Sequence, residues 1–141
     1  MTKHRIYQGR EDYLKTMLKL SNEETWISNK QLASVLGVSA PSASEMVRKL
    51  EMEGLVQVVA YRGSRLTDAG RNMAIHLIRS HRLWEVFLIE YLQYDPSEAD
   101  AEAELLEHSS TIKLTEALEK FLNYPTHCPH GAVIPEAEAE R

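Results

Sequence analysis

Five side chains in the second half of the chain have the types and spacing that metal or proton chemistry needs. His81 and Glu85 are four residues apart in a segment of helical periodicity, one turn apart on a largely apolar face. A buried polar pair needs a reason: the two hydrogen-bond each other, or they share a cation. Further on, Glu104 and His108 stand at i, i+4 and Glu104 and Glu107 at i, i+3, so all three heads can meet on one helix face. Carboxylates with an imidazole suit a divalent metal, and a solvated acidic face is the alternative. A Pro-punctuated tail from Asn123 to Pro135 adds His127, Cys128 and His130.

The elements that must position these groups follow from the same pattern. The spacing predicts a long helix from Asp68 to about Leu92, capped by Thr67, with Ala74, Ile78, His81, Glu85 and Leu88 on one face. Trp84 and Phe87 flank that face and can pack a core. Asp95 as N-cap, Pro96 at N1 and Glu98 three residues on predict a capping-box-like start for the helix that carries Glu104, Glu107 and His108. Ser109-Ser110-Thr111 ends it and caps a last helix with Leu114, Leu118, Phe121 and Leu122 on one stripe. Two helices are too few to enclose a core, so Leu114, Leu118 and Phe121 are expected at a homodimer interface. Beyond Pro135 the chain is acidic, Ala-rich and expected to be disordered.

The first half reads differently. From Asn29 to Leu50 two short helices meet at a tight turn. Leu32, Ala33, Val35 and Leu36 give the first an apolar side, Gly37 ends it, and Ser39 caps the second, with Pro41 in its first turn. Ala43, Met46, Val47 and Leu50 form the buried stripe of that second helix. Ser39, Pro41, Ser42, Ser44, Arg48 and Lys49 are left for a DNA major groove. Any αα-hairpin would look similar, but the next residues favour the DNA reading. Leu55 to Ala60 reads as a strand, Tyr61 to Ser64 as a turn, and Arg65-Leu66 as a returning strand. A hairpin tipped with Arg62 and Arg65 after a recognition helix is a wing. Ahead of it, Trp26-Ile27-Ser28 can be a short extended piece after a polar turn at 21–24. Tyr7 to Leu20 forms an amphipathic helix after frayed residues 1–5; Asp12 near its start reads alone as a solvated or dipole-favoured acid. The fold class expected is mainly α with a small β-wing: a winged helix-turn-helix domain over 1–72 and a helical dimerisation domain over 73–141.

At 141 residues with 43% hydrophobic content the chain can build a packed core. A single cysteine excludes an internal disulfide framework, and no long apolar run or signal sequence is visible, so a cytoplasmic protein is expected. The net charge of −5 looks wrong for a nucleic-acid binder. Its distribution repairs this: Arg48, Lys49, Arg62, Arg65 and Arg71 cluster in the middle, and Asp95, Glu98, Asp100, Glu102, Glu104 and Glu107 crowd a later stretch. A basic face for phosphate and an acidic half for a cation explain that asymmetry.

A winged helix, then S-H-R-L-x-E-x-F-L, then E-x-x-E-H, then C-P-H-G-x-x-I-P, in that order, resembles the diphtheria-toxin-repressor family. Within it the chain looks like the manganese-transport-regulator branch. The resemblance covers residues 7–135, and the SH3-like domain of longer relatives is expected to be absent. It implies a cytoplasmic homodimer that binds a palindromic operator when loaded with Mn²⁺ or Fe²⁺ and represses metal-uptake genes. It also implies an interdomain metal site of Asp12, His81, Glu104, Glu107 and His108, and a second site of Glu85, Cys128 and His130. Manganese regulators of the family often carry a glutamate where this chain has Lys15, and an ammonium cannot ligate, so a two-metal cluster of that kind is not expected. Iron-sensing relatives place methionine and cysteine where this chain has Asp12 and Glu104, so Mn²⁺ is the expected cofactor, with Fe²⁺ and Zn²⁺ as alternatives. Two other readings compete: a winged-helix regulator answering an organic effector, and a small carboxylate metalloenzyme. A di-iron enzyme needs a second Glu-x-x-His helix, which this chain lacks.

Overall fold

The computed structural model describes residues 9–21 and 25–137. The expected frayed start, residues 7 and 8 of the first helix, most of the turn at 21–24 and the chain beyond 137 lie outside them. The chain divides into two compact units, Met1–Ala74 and Ile75–Arg141.

The first unit holds α1 (Arg10–Leu20), α2 (Asn29–Leu36), α3 (Ala40–Met52), β1 (Val56–Val59) and β2 (Gly63–Leu66), and ends in the start of α4 (Asp68–Glu90). Its core is one apolar cluster, with Leu14 and Met17 from α1, Leu32 from α2, Ala43, Val47 and Leu50 from α3, and Ile27 and Val56 from the wing side. Burying each of the larger side chains contributes about 1.5–3 kcal/mol. Local signals set the helix ends. Ser28 and Gln31 form a reciprocal capping box at α2, Gly37 ends it at φ 70°, and the Ser39 hydroxyl accepts from the Ser42 N–H to start α3. One expected core residue is not in the core: Val35 is exposed on α2, because the stripe that faces inward is Leu32 and Ala33.

β1 and β2 pair antiparallel with Gln57 opposite Arg65 and Val59 opposite Gly63. A third short piece joins them: Ile27 exchanges backbone hydrogen bonds of 2.8 and 2.9 Å with Ser64. Gly63 permits this approach, since it sits at φ 118° and a Cβ there would lie 2.5 Å from the Ile27 carbonyl oxygen.

The second unit contains the rest of α4, then α5 (Pro96–Glu107) and α6 (Ile112–Phe121), and a tail that folds back on itself through a His127–Val133 bridge. Its apolar core is split. Leu83, Val86, Leu118, Leu122, Cys128 and Ile134 form one cluster, and Leu88, Ala99 and Ala103 another. Two expectations change here. Asp95 precedes α5 but caps none of its N–H groups; its carboxylate accepts from the Ser97 hydroxyl instead. The α6 stripe also divides, with Leu118 and Leu122 buried in the unit's own core and Leu114 and Phe121 exposed. Leu118 is thereby spent inside the unit, and Leu114 and Phe121 are the residues of that stripe open to a partner. No helix among the described residues is long and apolar enough to cross a membrane.

Candidate metal centre and nucleic-acid interface

His81 is the hub of the second unit. It sits on α4, and Glu85 follows one turn later with its Oε2 3.3 Å from His81 Nε2. α5 supplies the other contacts. Glu107 Oε1 lies 2.7 Å from Nδ1, and Asp100 Oδ1 lies 3.0 Å from Nε2. Glu107 and Glu85 are buried, and Asp100 is exposed. Burial by itself lowers the pKa of His81, but hydrogen bonds and attraction from Glu107 and Glu85 overcome this and raise it to about 10. Burial likewise pushes Glu85 up, and the charge-assisted bonds with His81, with attraction to His130, bring it below the usual carboxylate value. His81 is therefore an imidazolium at neutral pH, donating from both nitrogens to carboxylates.

The other candidate ligands fall into overlapping sets. Glu107 reaches His108 with its second oxygen, 3.6 Å from Nε2. Glu104 and His108 present ligand atoms within 4.8 Å of each other. His81, Glu85 and Asp100 form a set of the same tightness, and so do Glu85, Cys128 and His130. Glu85 belongs to both of the last two, with His130 Nδ1 3.3 Å from its Oε2. The tail hairpin holds Cys128 and His130 in place: the Cys128 N–H donates to the Ala132 carbonyl, the Gly131 N–H donates to the Cys128 carbonyl, and Arg82 bonds the Val133 carbonyl. Cys128 is buried among apolar side chains, so it packs the core as well as facing Glu85. Asp12 belongs to the first unit, on α1, where Lys15 Nζ lies 3.6 Å from its carboxylate.

Asp100 is the residue that sequence reading missed. It stands four before Glu104 and seven before Glu107, the spacing of one helix face, but in a run of acids that signal is weak. A carboxylate–imidazole set with these distances fits a hard divalent cation, and the set with a thiol fits a softer one.

In the first unit, Arg48 and Lys49 are exposed on α3, as are Pro41 and Ser42 at its start. Ser39 is consumed by its cap and donates its own proton to Ser42 Oγ at 2.9 Å, and Ser44 is half-buried. Arg62 and Arg65 stand exposed on the hairpin.

Comparison with known proteins bears on the same two halves. The family model described as iron dependent repressor, N-terminal DNA binding domain, matches residues 6–64. That described as iron dependent repressor, metal binding and dimerisation domain, matches residues 67–136. The chain belongs to the iron-dependent repressor family. It is 36% identical over 125 residues to the iron-dependent repressor IdeR of Mycobacterium tuberculosis, a match covering 89% of this chain and 54% of that protein. The structure of the manganese regulator SloR matches with TM-score 0.76 and 49% identity over 91% of this chain and 60% of that one. The structure of ScaR with bound Zn²⁺ matches with TM-score 0.78 and 41% identity over 91% of this chain and 60% of that one. The chain thus spans about half the length of the curated repressors it matches. Within the family frame, the two matched domains join at the start of α4, the helix that goes on to carry His81 and Glu85.

Proposed function

We propose that this chain is a metal-dependent repressor that binds palindromic operator DNA as a cytoplasmic homodimer, with Mn²⁺ as its effector and metal-uptake genes as its targets. The observation that carries the reading is half-buried His81, ringed by Glu85, Asp100 and Glu107, in a chain that also folds a winged helix-turn-helix. Residues 1–72 are assigned to DNA binding and residues 73–141 to metal binding and dimerisation. Oxygen-rich ligation by Glu104, Glu107 and His108, with His81 and, by family resemblance, Asp12, favours Mn²⁺. Relatedness to a manganese regulator supports the same choice. Cys128, His130 and Glu85 would suit a softer ion, and the likeness to a structure with bound Zn²⁺ keeps Zn²⁺ and Fe²⁺ as alternatives there.

The chain's own residues suggest how metal and DNA binding are linked. In the metal-free state one imidazolium, His81, partly neutralises the carboxylates gathered around it. Glu107 and His108 at the end of α5, with His81 on α4, would hold a divalent cation, which would supply the positive charge these carboxylates otherwise lack and so tie α5 to α4. Exposed Leu114 and Phe121 on α6 are the proposed dimer contacts. In the dimer the two α3 helices would read half-sites ~34 Å apart. Coupling of ~1–3 kcal/mol, or ~5–150-fold in operator affinity, is the usual scale for such linkage.

Retardation of a palindromic duplex with Mn²⁺ and with EDTA tests the reading, extended across Fe²⁺, Zn²⁺ and Co²⁺. Metal-dependent retardation is expected, strongest with Mn²⁺. Arg48→Ala together with Arg62→Ala should lower affinity across sequences and flatten the salt dependence by about one unit per charge. Equal retardation with metal and with EDTA would sink the metal-dependent reading, and a response only to an organic effector would replace it.

A further inference from the structure

Trp26 lies outside both the helix-turn-helix and the hairpin, yet the wing is built against it. The Ile27–Ser64 bridge draws the Trp26-Ile27 segment alongside β2, and Ser64 Oγ adds a 3.3 Å hydrogen bond to the Ile27 carbonyl. Arg65 CZ then stands 4.4 Å from the centroid of the Trp26 ring, and Arg62 CZ 6.0 Å from it. The Arg65 guanidinium is also held from the side, since Nε donates to Gln57 Oε1 at 2.9 Å. Gln57 is its cross-strand partner in the register, so both contacts follow from the same pairing. Among the described residues Arg65 makes no other side-chain hydrogen bond, which leaves Nη1 and Nη2 as its available donors. A planar cation with one face on an indole and one edge on an amide has lost most of its freedom before any ligand arrives. The two remaining donors form the pair that engages a phosphate through parallel N–H···O bonds.

We propose that Trp26 is a positioning residue for DNA binding: its ring, brought to the wing by the Ile27–Ser64 bridge, holds the Arg65 guanidinium ready for a backbone phosphate of duplex DNA. The proposal rests on the DNA-binding reading above. It differs from a purely structural role for Trp26, in which the ring would act through the stability of the hairpin as a whole. Stacking adds no charge, so it changes the strength of the phosphate contact without changing how many counterions are released.

The test is fluorescence anisotropy of the 141-residue chain, with Mn²⁺ present, on a mixed-sequence duplex, titrated at several salt concentrations, with thermal unfolding as a control on folding. Trp26→Leu should weaken binding ~2–5-fold per wing, hence ~4–25-fold for a site engaged by two wings, with the salt slope unchanged. Arg65→Ala should lower the slope by about one unit per wing, and adding Trp26→Leu to it should cost little more. Trp26→Phe, which keeps an aromatic face, should recover most of the affinity. The proposal is overturned if Trp26→Leu costs as much with Arg65 absent as with it present, or if Trp26→Phe binds no better than Trp26→Leu while unfolding at the wild-type temperature. If the wild-type protein itself shows no salt-dependent binding, the DNA-binding reading falls, a result separate from any failure of the variants.

Discussion

In the first unit the buried polar side chains among the described residues are Asp12 and Ser64; in the second they are Arg79, Ser80, Glu85, Glu107, Ser110 and Thr115. The first unit closes one continuous apolar cluster and keeps Arg48, Arg62, Arg65 and Arg71 at its surface. The second has two smaller apolar clusters and fills the rest of its interior with paired polar groups. Arg79 meets Glu119 at 2.8 Å, and Ser80 and Thr115 share a hydrogen bond of 2.8 Å. Trp84 Nε1 donates to Ser110, which donates to the Leu106 carbonyl. Buried charge costs stability unless it is paired, so an interior of this kind holds together only while each partner is present. A DNA-reading unit needs a rigid support with few buried charges, whereas a sensing unit needs buried groups whose charge balance a ligand can change.

The largest expected effect removes one partner from the charged interior. Glu107→Ala takes away the carboxylate 2.7 Å from His81 Nδ1 and should destabilise the metal-free protein by about 3–5 kcal/mol in urea unfolding, whereas Asp100→Ala, at an exposed position, should cost under about 1 kcal/mol. Equal losses from the two would erase the contrast between buried and exposed partners. Glu107→Ala should also leave operator affinity indifferent to Mn²⁺, as gel retardation can check.

A backbone change in the first unit comes next. Gly63→Ala must place a Cβ 2.5 Å from the Ile27 carbonyl at φ 118°, and should cost roughly 1–3 kcal/mol by separating the Trp26-Ile27 segment from the wing. A wild-type unfolding midpoint for Gly63→Ala would show that the bridge contributes nothing.

The helix caps give a smaller and sharper contrast. Thr111 accepts from the Leu114 N–H at 3.0 Å, and Thr111→Ala should cost about 1 kcal/mol. Asp95 makes no such bond to its helix, so Asp95→Ala should cost well under that. Matching losses in thermal unfolding would mean that Asp95 caps α5 after all.

The pH dependence of the second unit should be asymmetric, with its long decline on the alkaline side. His81 is raised to about 10, so the stability its cation adds is present below the ordinary histidine value of 6.5 and is lost as pH rises through about 10. Glu85 is lowered from 4.5, so its contribution is present above that value and is lost as pH falls through its folded pKa. Metal-free stability of the second unit should therefore be highest between about 4.5 and 6.5, falling from 6.5 toward 10 and again on the acid side, in denaturant titrations across pH. Ligation by His81 must displace its proton, so metal affinity should rise with pH and binding should release a proton, measurable by calorimetry in two buffers. The first unit has no such histidine among its described residues; its alkaline loss should begin only as pH passes 10, where buried Tyr13, its phenol raised by desolvation, resists ionisation.

What the sequence determined on its own is whatever a few neighbouring residues decide together. The φ > 0 end at Gly37, the Ser39 and Thr111 caps, the antiparallel hairpin and the pairing of His81 with Glu85 all act within about one helical turn or one tight turn. Propensity and periodicity reach that far. The Ser28–Gln31 capping box was equally legible by spacing but went unread. The tertiary structure alone decided which distant groups meet. Glu107 is 26 residues from His81 and Asp100 is 19, and the packing of α5 on α4 brings both to the imidazole. Trp26 reaches Arg65 through a backbone bridge that no local pattern announces. The α6 stripe looked uniform as a pattern, and only its neighbours assigned Leu118 inward and Phe121 outward. Asp95 had the residue type and position of a cap and spent its carboxylate on Ser97, because two nearby acceptors and donors offered alternatives of similar strength that spacing cannot rank. Chain-local geometry sets what an element can present, and long-range packing sets what it is presented to.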